Sequence, residues 1–173
     1  MTKQEAAPDM EQCMFNAKPS DGHKALEVFK GTWDAHVKFW MDPSAPPDES
    51  DGVMTNTWVL GGRYLEQSYK GMTFGSQFEG RGYFGFNNGS RKYEGFWIDT
   101  ASTCMSHEVG AYDAASKTWT MIGSFANPAD GSEGTKRTTF KIKSPDEHIM
   151  ESFFPGPGGK EIKMMEIVYK RKK

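Results

Sequence analysis

Cysteine is scarce in this chain of 173 residues, occurring only as Cys13 and Cys104. Two cysteines cannot make the disulfide framework of a small secreted domain. They predict free thiols and a reducing, cytoplasmic setting. No charge of one sign dominates either, since the formal net charge is −2. A nucleic-acid surface needs clustered cations, and the single basic run, KRKK from Lys170 to Lys173, reads as a solvated tail. Long apolar runs are missing. Nothing approaches the roughly 18 residues of a membrane-spanning helix, and MTKQEAAPDMEQCMFN at the start has no apolar signal core.

Signatures of catalysis are just as thin. His23, His36, His107 and His148 stand apart, with no H-x-H, H-E-x-x-H or paired-cysteine spacing to hold a metal. There is no G-x-S-x-G elbow, and neither cysteine has an obvious neighbouring base. No metal or other cofactor is expected.

What the chain does have is aromatic residues (13%), eleven methionines and nineteen glycines. Its length suits one domain with a sizeable core. Residues 1–22 read as a polar leader, with a weak helical spacing at Met10, Cys13, Met14 and Ala17, and residues 23–173 as the domain. Ser20-Asp21 offers a cap for a short helix whose apolar face is Ala25, Leu26 and Phe29, and Gly31 ends it.

Beyond Gly31 the apolar period changes to two. Trp33, Ala35, Val37, Phe39 and Met41 alternate with Asp34, His36 and Lys38, as a half-buried strand requires. Three prolines break the pattern over 42–50. Further strands are predicted over 53–60, 63–70, 77–87, 92–99, 105–112, 117–125, 135–143, 148–154 and 161–170. Between them lie turn signals such as Gly61-Gly62 and Asn88-Gly89. About ten short antiparallel strands with no long helix between them predict an all-β, up-and-down meander that closes into a barrel and so hides its edges.

The stretch FEGRGYFGFNNG, residues 78–89, formally matches the dinucleotide fingerprint G-x-G-x-x-G. Its setting fails the test, because that motif must follow a strand and open a helix. Glycines at about 1 kcal/mol each against Ala make a helix here costly. Phe78, Phe84 and Phe86 favour a strand whose glycines let it bend.

The succession of stretches HKALEVFKGTWDAHVKFWMDPSAPPDESDG, TNTWVLGGRYLEQSYKG, FEGRGYFGF, KYEGFWIDT, GAYDAASKTWT and KEIKMMEIVYKRK resembles the domain-of-unknown-function family 1579. That family is regarded as lipocalin-like, within the calycin superfamily. The likeness covers roughly residues 23–172. It implies a barrel with a lumen, Trp33 of the Gly31-Thr32-Trp33 motif at its base, Arg171 covering that ring, and residues 42–50 at the open mouth. It implies no activity.

The function expected is therefore a non-enzymatic binding module holding a small hydrophobic or amphipathic molecule. Glu79, Arg81, Tyr83, Trp97, His107 and Glu166 are the predicted lumen-facing ligand residues. Two alternatives stand beside it. One is an enzyme using luminal Glu79, Glu166 and His107 as acids and bases. The other is a structural or self-associating protein, a possible homo-oligomer, pairing through Trp40 or Trp58.

Overall fold

The computed structural model describes residues 10–126 and 131–173. Residues 1–9 of the predicted leader lie outside them, as does the side chain of Cys13. Its helical spacing is realised as α1, Met10–Asn16, although Met10 and Met14 are exposed. The capped helix is α2, Asp21–Ala25, continued by a 3₁₀ turn over Leu26–Phe29. Ser20 stands at its N-cap, where its backbone N–H donates to His23 Nδ1 at 3.0 Å.

Ten strands follow among the described residues. They are β1 Gly31–Phe39, β2 Asp48–Val59, β3 Tyr64–Thr73, β4 Ser76–Asn87, β5 Lys92–Asp99, β6 Ser106–Asp113, β7 Thr118–Ala126, β8 Glu133–Ser144, β9 Glu147–Pro155 and β10 Glu161–Arg171. Each pairs antiparallel with the next, and β10 returns to β1 to close the barrel. Closure gives every strand two hydrogen-bonded neighbours, so the meander has no exposed edge. The second strand begins at Asp48 rather than near 53, because β1 pairs with it along its whole length, Phe39 lying opposite Asp48.

The glycine-rich stretch lies within β4, with an Asn87-centred turn after it. Asn87 Oδ1 accepts the backbone N–H groups of Gly89 and Ser90 at 2.9 and 3.1 Å. Asn88 reaches back to the N-terminal segment, donating to the carbonyls of Asn16 and Lys18 and accepting from Ser20 Oγ at 2.6 Å. The turn thus holds the N-terminal segment onto the barrel.

The two ends of the barrel differ. The short turns at 60–63, 88–91, 114–117 and 145–146 share one end with α2 and its 3₁₀ turn. Leu26 and Phe29 enter that end and pack among Leu65, Phe84, Tyr93, Trp119 and Met121. Trp33 lies beside them, 1% exposed. The Phe29 carbonyl, left free where the 3₁₀ turn stops, accepts from both Trp33 Nε1 and Asn56 Nδ2 at 2.8 Å. The Arg171 guanidinium lies over the Trp33 ring, 4.1 Å from its centroid, and donates to the carbonyls of Lys30, Val28 and Pro145. Gly31 has φ +116 where the chain swings from the 3₁₀ turn into β1, and a Cβ there would meet Arg171 Nη1 at 2.8 Å. This end is plugged. The longer connections at 40–47, 100–105 and 156–160 lie at the other end.

Candidate functional site

Register and burial determine which way each strand residue points. Gly80 and Gly82 on β4 point inward, because a Cβ on either would strike the Trp97 ring from β5, at 2.1 and 2.7 Å. Glu79, Arg81 and Tyr83 alternate with them and are exposed on the outer wall. There Tyr83 donates to Glu66 at 3.0 Å, and Glu79 lies near Lys70. The expectation that these three face the lumen is corrected by the space the Trp97 ring occupies.

His107 is corrected too. It pairs with Phe96 on the outer wall of β5 and β6 and is exposed, as is Val109 beyond it. Glu166 lies opposite Glu151 and Lys38 on the outside, held by Lys163. Trp97 is the one predicted residue of the six that turns inward, packing against the core with Nε1 donating to Asp99 at 3.0 Å. The acid–base alternative built on Glu79, His107 and Glu166 therefore loses its luminal site. Of the two tryptophans proposed for self-association, Trp58 turns inward against the core and donates to Glu27. Trp40 is half-buried, with Lys163 over its ring.

The charged residues that do enter the lumen are different ones. Along one cross-strand row, Phe84 pairs with Gly95, Gly95 with Glu108, Glu108 with Gly123, and Gly123 with Lys136. Glycines on either side of Glu108 leave its chain room to lie flat, and a Cβ on Gly123 would stand 2.6 Å from Glu108 Cγ. Lys136 Nζ lies 2.9 Å from Glu108 Oε1, with side chains 20% and 12% exposed. Thr138 Oγ1 donates to the same oxygen at 2.9 Å, and Ser152 Oγ is 3.3 Å from Thr138. Both hydroxyl residues are buried. A desolvated ion pair is costly unless hydrogen bonds support it, and Thr138 supplies one to Glu108.

The wall beside this cluster has room for a side-chain carbon at Gly95. A Cβ added to Gly95 would meet only Glu108 Cβ, at 4.0 Å. By contrast, Trp97 fills the space over Gly80 and Gly82, and Phe125 that over Gly134. Ser106, next to Glu108 on the inner face of β6, has a buried Oγ without a partner among the described residues, and Tyr69 Oη is likewise unpaired. Burial pushes the Tyr69 phenol up, so it stays a protonated donor.

Two grooves lie outside the lumen. The larger, about 710 Å³, runs over the outer face of β1 beside His36, Asp51, Lys38 and Glu166. Its charges already satisfy one another: His36 contacts Asp51 at 2.9 Å and Glu49 at 3.0 Å, and Lys38 lies 3.6 Å from Glu49. The smaller, about 510 Å³, lies between α2 and the turn after β4. Among the described residues no three His, Cys, Asp or Glu side chains converge to hold a metal ion. No helix among them is long and apolar enough to cross a membrane, which says nothing of strands.

The inner cluster carries a sequence signal in the alternation of two strands. GTKRTTF on β8 places Lys136, Thr138 and Phe140 on one face, and SHEVGAY on β6 places Ser106, Glu108 and Gly110 together. In both strands the polar residues alternate into the lumen.

The family model described as "Protein of unknown function (DUF1579)" matches residues 18–171. No curated protein matches the chain. Among solved structures, that of Rv2717c from M. tuberculosis is similar, with a TM-score of 0.64 at 18% identity over 90% of this chain and all of that one. The S-type phycobiliprotein lyase CPES from Guillardia theta is similar at 0.56 and 12%, over 96% of this chain and 99% of that one. At these identities the likeness shows the barrel fold.

Proposed function

Because the chain belongs to the DUF1579 family, for which no function is given, its work has to be read from its own lumen, and we propose that it is a non-enzymatic module binding a small, partly apolar molecule there. The observation that carries this is the room at Gly95, where an added Cβ would meet only Glu108 Cβ at 4.0 Å, beside the inward Glu108–Lys136 pair. A barrel that needed only a core would fill such a gap, since protein interiors are close-packed. Trp97 supplies an aromatic wall and Ser106 a free hydroxyl. The likeness to a phycobiliprotein lyase adds modest support, because a barrel of this shape serves there in work on another molecule. The exposed free thiol of Cys104 supports action in a reducing compartment, the cytoplasm.

The neutral fluorophore N-phenyl-1-naphthylamine tests the reading. The wild type should bind it with a blue-shifted emission, and Gly95→Trp, which fills the gap, should lose about tenfold or more in affinity. Equal binding by both proteins would place the probe elsewhere and reject a luminal site.

A further inference from the structure

Resting on that luminal reading, we infer that the ligand's polar end is a neutral group that both donates and accepts hydrogen bonds, such as an alcohol or a primary amide, and that carboxylates and amines are selected against. The two charges that enter this part of the lumen cancel each other in place, Lys136 Nζ being 2.9 Å from Glu108 Oε1. Their row and hydrogen-bond neighbours bring no further charge, and the carboxylate of Asp99 farther along the inner face of β5 is engaged by Trp97 Nε1 at 3.0 Å. Gly95 and Gly123 flank Glu108 in the row, and Thr138 and Ser152 contribute hydroxyls.

An incoming carboxylate would find an ammonium already neutralised and a second carboxylate beside it. An incoming ammonium would find the reverse. Either would carry an uncompensated charge into a site whose own charged side chains are only 20% and 12% exposed. Such a charge is far more costly there than in water. A neutral dipolar head avoids that cost. It can accept from Lys136, which has further N–H donors beyond its bond to Glu108. It can also bond to Ser106 Oγ, which is buried and without a partner among the described residues.

The test displaces N-phenyl-1-naphthylamine with four ten-carbon competitors: decan-1-ol, decanamide, decanoate and decylamine. For the wild type, the alcohol and the amide should compete about tenfold better than either ion. Glu108→Gln leaves the cluster net positive and should gain about tenfold for decanoate, whereas Lys136→Gln should gain as much for decylamine. Circular dichroism checks that each variant folds. If one does not, the wild-type series and the other variant decide. Equal competition by all four, or no change of preference in a folded variant, overturns this inference while the luminal reading stands. Failure of the fluorophore to bind the wild type overturns both.

Discussion

His148 shows what one buried side chain does to stability. It lies in the plugged end, stacked on Tyr169 at 4.5 Å and edge-on to Trp33 at 4.4 Å, with Nδ1 unpaired among the described residues. Burial, aided by the nearby Arg171 charge, pushes its pKa down to about 3. The folded barrel therefore holds the neutral ring, while the unfolded chain protonates it near 6.5. Its contribution is complete above pH 6.5 and is lost as pH falls toward 3, at about 1.4 kcal/mol per unit. His36 has the opposite sign. Asp51 and Glu49 raise its pKa, so its contribution is complete below about 6.5 and fades as pH rises through the folded value. Urea unfolding at pH 7.5 and 5 should show His148→Phe losing less stability on acidification than the wild type. An equal loss in both proteins would mean that His148 is not the titrating group.

The pair β4 and β5 shows what a strand pattern can and cannot tell. Period two was legible throughout, and it correctly grouped Glu79, Arg81 and Tyr83. The side of the wall they occupy was not legible, because it depends on Trp97 lying across Gly80 and Gly82 from the neighbouring strand. A glycine's vacancy is visible in a sequence, but the ring that fills it is not. His107 misled for a related reason: its apolar neighbours Val109 and Met105 are exposed on the outside. In β10 Glu166 is set among apolar residues, yet it alternates with the buried Ile167 and Tyr169 and so emerges on the outer wall, opposite Lys38 and Glu151. The two faces of β4 make a direct comparison. Gly80→Val forces a side chain into the Trp97 ring and should cost about 1–3 kcal/mol in urea unfolding. Arg81→Ala, one residue along and outward, should stay within about 0.5 kcal/mol. Similar costs at both positions would contradict the assigned faces.

At the scale of the whole molecule, ring closure and the plugged base were legible. Ten short strands with hairpin signals need closure to hide their edges, and Gly-x-Trp marked where the base lies. The charges of the lumen were not, since Glu108, Lys136 and Ser152 sit on β6, β8 and β9, which only the assembled register brings together. The division of labour is physical. Hydrophobic burial by Leu26, Phe29 and Trp119 at the plugged end anchors the wall, which lets the Gly95 region stay underfilled.

The seam between β1 and β10 carries one more consequence. Trp33 lies opposite Arg171, and Lys172 N donates to the Thr32 carbonyl at 2.8 Å. A ring of hairpins has a cyclic order but no intrinsic first strand, so this seam is a backbone break of the same kind as any turn. A circular permutant that joins the last strand to the α2 segment through a flexible linker and opens instead at the exposed turn 114–117 should fold to the same barrel. Its circular dichroism and fluorophore binding should match the parent's. A permutant that stays unfolded would show that the seam is ordered by chain sequence as well as by pairing.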